Sequence, residues 1–520
     1  MKRAAFPFVP VRLSLADLLG TEHLDSVCAA RAALLGVPPD RVRGWASRRI
    51  DCYPRAFHQR LLALLPRVGD ALCRGVAATP AGASSAAFAA ATCTAAAPLS
   101  ALGFLRVGED GRLRLTTKSE HYHAPLGHAF PGYRLLDIAR RLGMPNATHN
   151  NTRGAVTRLL EQELIAAAHG LDGDAEALQA VLEDRTLSGL NRVLNLETGS
   201  LAVEAGVKLM LARFYRVQPQ DPPPPYTGRV PVLLVMGDQD GGLAGNYHGT
   251  TVTTQTLRGL WPGLAGKLAG ADAYHIHALR PNQHADLAAA FERFERPPFK
   301  IAGFLHEIIM MNYGALRLEP AYLQAAYTWC ARHDVPTLCD EIQSCLWAPG
   351  GFLFRSCGIR PSMVAIGKGF PGGEYPASRL LFSAALDRLP QFGALVTNGQ
   401  EELAALAYLI TLHWARRNAA ATRALGEHYE SSVRGLAREF PGRIASVTGE
   451  RHLLGLAFHD LASARAFTAA LAARGLDISA QTYKADCPPV ALTKLPLTAC
   501  HRTIDAIVGH MRAVCATTSA

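Results

Sequence analysis

An apolar run that stops at a lysine between glycines occupies ten residues: Val364-Ala365-Ile366-Gly367-Lys368-Gly369-Phe370-Pro371-Gly372-Gly373. Such a run is typical of a buried strand, and the glycines and the proline after it indicate a turn. Lys368 stands where the strand ends, on backbone that a ligand can approach closely. A lysine that is removed from water loses its proton more readily and can attack a carbonyl as an amine nucleophile. The alternative is an ordinary lysine at a strand end beside a glycine turn.

Length and composition favour a large globular protein. The chain has 520 residues, of which 49% are apolar and 18% charged, so it exceeds one ordinary domain and differs from a disordered chain. The formal charge is +10 and is spread out rather than collected in a Lys/Arg block. We therefore expect anionic small ligands and no nucleic-acid partner.

The cysteines and the N-terminus indicate a location. Eleven cysteines, an odd number, include no CxxC motif and no Cys/His metal spacing, which is typical of a reducing compartment. The first residues lack a sustained apolar core and a cleavage site. The alanine-rich residues 81–101 are too mild for a membrane span, so we expect a linker or an alanine-rich helix. We predict a cytoplasmic protein with no membrane association.

Three histidines within residues 121–128 invite a metal interpretation. His121, His123 and His128 match no spacing that is typical of a zinc site, and proline and glycine mark their segment as a loop. We predict no metal site.

Buried strands alternate with amphipathic helices from Leu190 onward. This alternation favours an α/β fold in which a mostly parallel sheet has helices on both faces. The predicted strands are Val230 to Met236, Ile301 to Leu305, Val335 to Cys339 and Met363 to Ile366, and the helices between them include Ala202 to Tyr215 and Tyr322 to His333.

The chain after Gln400 has a different pattern. It is helical to about Glu439, and short strands and helices follow, including a strand over Leu453 to Phe458. We interpret this part as a smaller α+β domain. The full division is a helical N-terminal extension with an alanine-rich linker (1–104), the N-terminal part of the small domain (105–150), a large ligand-binding domain (151–390) and the C-terminal small domain (391–520).

Two motifs near strand ends suit a phosphorylated aromatic ligand. Thr198, Gly199 and Ser200 open an amphipathic helix, where unpaired N–H groups, hydroxyls and the positive helix end can hold a phosphate. A plain helix cap explains the same residues. Tyr247 offers a flat face on which an aromatic ring can stack, or it is an aromatic residue in a loop.

Two further motifs complete the set. Asp340 directly follows an apolar strand, at the sheet edge where α/β folds bind ligands. A buried aspartate needs a cationic partner, and a protonated ring nitrogen would be one; the alternative is a helix cap. Thr397 lies in a turn before a helix and offers one more hydrogen bond to a phosphate, unless the turn is only structural. A phosphate cradle, a ring stacker, an aspartate for a ring nitrogen and an amine nucleophile together describe a site for pyridoxal phosphate (PLP).

In this order the motifs resemble class III aminotransferases, the fold-type I PLP family that also holds glutamate-1-semialdehyde aminomutase. The resemblance covers roughly residues 105 to 515. The matching motifs are Thr198-Gly199-Ser200-Leu201-Ala202, Tyr247-His248-Gly249, Glu307, Asp340-Glu341-Ile342-Gln343, Gly367-Lys368 with Gly372, Gly373 and Pro376, and Thr397 with Gly399.

The resemblance implies a role for each matched residue. Lys368 would hold PLP through a Schiff base and later shuttle protons, and Asp340 would pair with the pyridine nitrogen. Gln343 would reach the ring hydroxyl, Tyr247 would stack on the ring, and His248 would bind the cofactor beside it.

The residues expected to bind the phosphate also imply an oligomeric state. By the same resemblance Thr198, Gly199 and Ser200 would hold the phosphate, and Thr397 would reach the phosphate of the neighbouring subunit. That arrangement implies a homodimer with shared active sites.

The implied activity is PLP-dependent transfer of an amino group between a small-molecule amino donor and a keto or aldehyde acceptor. Departures from the family pattern keep an aminomutase or racemase, or a non-catalytic homologue, as alternatives. Leu201 replaces a glutamate, Ile308 replaces a proline, and Leu492 stands where some members present an arginine to a substrate carboxylate. Lys494 is the nearby cation that could substitute for that arginine as a point charge. The first hundred residues contain no motif, so we expect residues 1–95 to be dispensable for PLP binding.

Overall fold

The computed structural model describes residues 6–118, 124–146, 152–171, 173–482 and 487–517; His121 and His123 therefore lie outside the described residues. The N-terminal segment is mainly helical, as its pattern predicts. Ser14 begins the first helix by accepting the Asp17 N–H, while the Asp17 carboxylate accepts the Ser14 N–H at 2.7 Å, which satisfies donors that a helix start leaves unpaired. The elements are β1 (Arg12–Leu13), α1 (Leu15–Leu19), α2 (Thr21–Leu35), α3 (Pro39–Ala46), β2 (Ile50–Asp51), α4 (Arg55–Leu64), α5 (Ala86–Ala91), β3 (Pro98–Leu102), β4 (Leu105–Gly108) and β5 (Leu113–Thr116).

The middle of the chain forms the large sheet and its helices. Its helices are α6 (Arg134–Arg141), α7 (Ala155–His169), α8 (Ala175–Glu183), α9 (Gly199–Leu211), α10 (Val252–Thr256), α11 (Pro262–Gly270), α12 (His284–Phe294), α13 (Pro320–Arg332), α14 (Leu353–Ser356) and α15 (Gln391–Ala394). Its strands are β6 (Leu190–Leu196), β7 (Val230–Met236), β8 (His275–Leu279), β9 (Phe299–His306), β10 (Ile309–Met310), β11 (Leu316–Arg317), β12 (Thr337–Asp340), β13 (Met363–Ile366) and β14 (Ser378–Ser383).

Seven of these strands make one sheet in the order β6-β14-β13-β12-β9-β7-β8. Neighbouring strands from β13 to β8 pair in parallel, and β14 runs antiparallel to both β13 and β6. The predicted mostly parallel sheet of the α/β fold is thus confirmed. Its strand ends matter for function, because the carboxyl ends of parallel strands meet at one edge.

Both faces of the sheet are covered. In β7 all seven residues are buried, as expected for a strand with helices on each side. Leu233 and Val235 belong to a core with α9, whereas Val232 and Leu234 belong to the core that includes α12, α13 and the C-terminal helices. Successive side chains point to opposite faces, so one strand contributes to both cores.

The C-terminal part is the predicted mixture of helices and short strands. It contains α16 (Glu402–Arg417), α17 (Ala419–Glu439), β15 (Ile444–Glu450), β16 (Leu453–Phe458), α18 (Leu461–Ala473), β17 (Leu476–Asp477), β18 (Ser479–Ala480), β19 (Val490–Lys494) and α19 (His501–Thr517). β17 pairs in parallel with β5, so a strand of this region completes a sheet begun by residues 98–116. The four-part division of the chain stays a prediction. Among the described residues, none of the helices combines the length and the hydropathy that a membrane span requires.

The N-terminal segment packs into the main core. Phe8 is 4% exposed, and its ring lies 5.3 Å from Tyr53 and 5.6 Å from Trp414 of α16, measured between ring centres. The Val9 N–H donates to Asn418 Oδ1 at 2.8 Å. Deleting residues 1–95 would therefore uncover apolar surface on α16. The expectation that PLP binding survives this deletion stays a prediction.

We expect Phe8→Ala to lower the free energy of unfolding by about 3–5 kcal/mol, the usual range for removing a buried aromatic ring. Urea unfolding followed by circular dichroism measures it. Leu34→Ala is the control, because Leu34 is 81% exposed and exposed sites usually change stability by less than about 0.5 kcal/mol. Equal stability of the two variants would contradict the packing of the segment.

Candidate active site

The carboxyl ends of four strands bring the predicted residues together. β6 ends at Leu196, β7 at Met236, β12 at Asp340 and β13 at Ile366. These strand ends and the segments after them line one cavity of about 250 Å³. Eight of the nine predicted site residues line it: Thr198, Gly199, Ser200, Tyr247, His248, Asp340, Gln343 and Lys368. Pockets for drug-sized ligands are typically about 300–1,000 Å³, so this cavity suits one small ligand.

The start of α9 forms one wall. Thr198 is the N-cap, and its hydroxyl accepts the Leu201 N–H at 3.4 Å. Ser200 Oγ accepts the Thr250 N–H at 3.0 Å, which ties this wall to the loop that carries Tyr247. Gly249 has φ of +125°, and a Cβ there would lie 2.7 Å from the Ser200 Cα. The close approach is possible only for glycine and leaves a cradle beside the positive end of a helix.

Asp340 is nearly dry, with 4% of its side chain exposed. Its Oδ2 accepts from His248 Nδ1 at 2.8 Å, and its Oδ1 accepts the Ile342 N–H at 3.1 Å. Because a carboxylate only accepts, Nδ1 of His248 carries the proton. The Nε2 atom of His248 is buried and has no hydrogen-bond partner among the described residues.

The neighbouring carboxylate, Glu341, serves the backbone. Its oxygens accept the N–H groups of Leu353 and Phe354 at 2.8 and 2.6 Å, at the start of α14. Burial raises the pKa of Glu341 to about 7, and these two donors hold it below what burial alone would give. Of the two adjacent carboxylates, Asp340 is the one that lines the cavity.

Lys368 lies in the left-handed backbone region, with φ of +33°. For a residue other than glycine this conformation costs about 1–3 kcal/mol, and such strain collects at functional sites. The turn that follows β13 thus holds Lys368 at the cavity, as its position at a strand end predicts.

The remaining predicted residues have distinct surroundings. The guanidinium of Arg258 lies 4.8 Å from the ring centre of Tyr247. Gln343 Oε1 accepts a hydrogen bond from the ammonium of Lys494 at 2.8 Å. Thr397 is exposed and does not line the cavity. The role of each of these residues stays a prediction.

Several lining residues were not predicted to belong to the site. They are Glu197, Ile342, Pro371, Pro376 and Ala377. Ile342, Pro371 and Pro376 belong to the quoted motifs, and Glu197 and Ala377 flank them, so position in the sequence could have suggested all five. For Arg258 we find no such signal.

The motif departures have plain structural roles. Leu201 packs against the core of α9, and Ile308 is fully buried. Glu204 accepts hydroxyl hydrogen bonds from Thr251 and Thr253 at 2.8 and 3.1 Å, which joins α9 to α10. Leu492 is 2% exposed in β19.

The cavity residues fit PLP. An anionic phosphate suits the cradle at the α9 N-terminus, and a flat ring suits the face of Tyr247. The carboxylate of Asp340 suits a protonated ring nitrogen, and the amine of Lys368 suits a carbonyl. The described residues hold no cluster of three or more His, Cys, Asp or Glu that could bind a metal ion.

Fold and cavity together define a fold-type I PLP-dependent protein. A model of the family "Aminotransferase class-III" matches residues 110–509. The chain belongs to the class III aminotransferase family, and its cofactor is PLP.

Relatives by sequence include several ornithine aminotransferases. That of Bordetella pertussis is 28% identical over 379 residues, covering 70% of this chain and 84% of the relative. Those of Emericella nidulans and Schizosaccharomyces pombe are 29% and 28% identical, but the matches span only 40% and 42% of their lengths.

Solved structures share the fold at lower identity. The adenosylmethionine-8-amino-7-oxononanoate aminotransferase of Methanocaldococcus jannaschii has a TM-score of 0.65 at 15% identity, covering 84% of this chain and 96% of that one. A phospholyase from Arthrobacter, in complex with phosphoethanolamine, has a TM-score of 0.63 at 19% identity, covering 81% and 94%.

We expect Gly249→Ala to weaken PLP binding by about tenfold or more, because the new Cβ would push Ser200 out of the cradle and lose a charged hydrogen bond. Equilibrium dialysis against PLP measures the affinity. Gly266→Ala in α11 is the control, because a Cβ there would meet nothing within 4 Å. Native affinity in Gly249→Ala would show that the phosphate lies elsewhere.

Proposed function

We propose that the protein is a PLP-dependent aminotransferase that moves an amino group from a small-molecule amino donor to a keto or aldehyde acceptor. One observation carries the proposal: Lys368 and Asp340 line the same small cavity as the start of α9. An amine nucleophile, a buried carboxylate and a phosphate cradle are the parts that a protein supplies to PLP chemistry.

The residues divide the work. Lys368 would attach the cofactor through its amine and would then carry protons to and from the reacting substrate carbon. Asp340 would keep the ring nitrogen protonated, and His248, which donates to Asp340 at 2.8 Å, would hold that carboxylate in place. PLP, when bound, supplies the electron sink for these proton transfers. The N–H groups of α9 would hold the phosphate, and the ring of Tyr247 would orient the cofactor.

An aminomutase or a racemase would use the same residues without a second substrate. A half-reaction with one amino donor and no acceptor distinguishes these enzymes from an aminotransferase. The state of the cofactor is measured by its absorbance. Useful donors are the amino compounds in the names of relatives, which are ornithine, adenosylmethionine and 2-aminoadipate. A transaminase converts its cofactor to the amine form and releases a keto or aldehyde product. A racemase or aminomutase returns the cofactor unchanged.

We further propose a homodimer with shared active sites. Thr397 is exposed and lies outside the cavity, which is compatible with service to a second copy. Exposed apolar side chains near the cavity loop, Val252 and Trp261, are 52% and 55% exposed, and a partner would cover such surface.

The cytoplasm is the location we propose. All eleven cysteines lie in the described part of the chain, and none of them forms a disulfide, which is typical of a reducing compartment. An ornithine aminotransferase of Arabidopsis thaliana is mitochondrial by name, so fractionation of cells is the deciding measurement.

Lys368→Ala and Asp340→Asn test the division of labour. Borohydride reduction followed by mass spectrometry should find no PLP attached to the Lys368→Ala chain. Asp340→Asn should retain attached PLP, while single-turnover rates fall by about a hundredfold or more, the usual loss for one electrostatic stabiliser. PLP on another lysine, or a near-normal rate in Asp340→Asn, would show that the site is wrongly assigned.

Mixed dimers test the shared site. Lys368→Ala homodimers and Thr397→Glu homodimers should both be nearly inactive, since the new carboxylate repels a phosphate. After the two variants are unfolded and refolded together, mixed dimers contain one intact site each, so activity should return to about a quarter of wild type. Refolding each variant alone is the control. No recovery from a mixture that light scattering shows to be dimeric would refute sharing through Thr397.

A further inference from the structure

A second buried lysine stands behind the cavity. Lys494 is 0% exposed at the end of β19. Its ammonium donates to the Gln343 backbone oxygen at 2.7 Å and to Gln343 Oε1 at 2.8 Å, and it lies 4.7 Å from the ring centre of Trp347. A buried ammonium is costly without such partners, so the surroundings of Lys494 are built for a charge.

This contact fixes the orientation of the Gln343 side chain. An ammonium group only donates, so the amide atom that faces it is the oxygen. The NH₂ end of the amide is therefore turned away from Lys494, and Gln343, which is half-buried, lines the cavity. A charged donor on the carbonyl oxygen also polarises the amide and strengthens its N–H as a donor.

The same contact reassigns Lys494. From the sequence, Lys494 was a candidate cation for a substrate carboxylate. In the structure its ammonium donates to the backbone oxygen and to Oε1 of Gln343, and Gln343 is the residue of this pair that lines the cavity.

We propose that Lys494 is a positioning residue for the cofactor: it turns the Gln343 N–H toward the PLP ring hydroxyl and makes that side of the site favour a negatively charged oxygen. This rests on the proposed function, because it takes PLP as the ligand and Lys368 as its attachment. Lys494 thus acts through Gln343 and touches neither substrate nor cofactor.

Other ionisable groups near Lys494 are accounted for. Burial raises the pKa of the Cys345 thiol to about 12, although Lys494 counteracts part of that rise, so the thiol is neutral near pH 7. Asp340 is paired with His248, and Glu341 accepts two backbone N–H groups of α14. Lys118 forms a parallel β-bridge with Lys494 through the backbone, and its ammonium donates to Ser479 Oγ at 3.0 Å.

The test is a pH titration of the visible absorbance band that PLP acquires on attachment to Lys368. A positive charge and a donor near the ring oxygen oppose protonation of the linking nitrogen. We expect Lys494→Met to raise the midpoint of this titration by about one pH unit and to weaken PLP binding about tenfold in equilibrium dialysis. Gln343→Leu should raise the midpoint as well, and the double variant should add little to Lys494→Met, because coupled residues are not additive.

Lys118→Met is the matched control: it removes a buried ammonium that donates to Ser479, and its midpoint should equal that of wild type. If Lys494→Met does not fold, Lys494→Gln, which keeps a donor and loses the charge, should raise the midpoint by a smaller amount. An unchanged midpoint in folded Lys494 variants, additive shifts in the double variant, or an equal shift in Lys118→Met would each overturn the inference. A wild-type protein that acquires no visible band with PLP would instead refute the proposed function.

Discussion

A carboxylate in a nearly dry interior needs a donor on each oxygen, and the site is arranged around how Asp340 meets that requirement. Asp340 ends β12, which pairs in parallel with β9 and β13, and 4% of its side chain is exposed. One oxygen takes the Ile342 N–H and the other takes His248. The loop after β7 is therefore fixed relative to β12, and Tyr247, the residue before His248, is placed with it. An unpaired carboxylate here would cost several kcal/mol.

Three largely buried runs could be predicted with their bounds. The strands at Val230–Met236, Met363–Ile366 and Leu453–Phe458 are found as expected, since continuous apolar runs leave little choice of end. Other predicted bounds were wrong. The strand predicted over Ile301 to Leu305 runs from Phe299 to His306, and the strand predicted over Val335 to Cys339 runs from Thr337 to Asp340. The later start at Thr337 is explained by Pro336, which has no N–H to give to a neighbouring strand.

The site could be predicted as far as strand ends determine it. Thr198 and Lys368 follow β6 and β13, and Asp340 ends β12. The sheet brings these three strand ends to one edge. The pairing of His248 with Asp340, and of Lys494 with Gln343, could not be predicted, since 92 and 151 residues separate the partners. The periodicity of apolar residues predicts which face of an element is buried. It does not predict which side chains from distant parts of the sequence pack against that face. The burial of the N-terminal segment could not be predicted for the same reason, because Phe8 and Trp414 come into contact only in the folded chain.

The contact between Val9 and Asn418 has a consequence for biosynthesis. The two residues are 409 positions apart, so the segment around Val9 cannot complete its packing until Asn418 has been synthesised. At about 5–20 residues per second that delay is roughly 20–80 s. During this time the aromatic side chains of Phe8 and Tyr53 lack their final partner on α16, Trp414. We therefore expect chaperones to bind the nascent chain during this time. Slower synthesis would lengthen the period in which its apolar side chains are exposed and can aggregate.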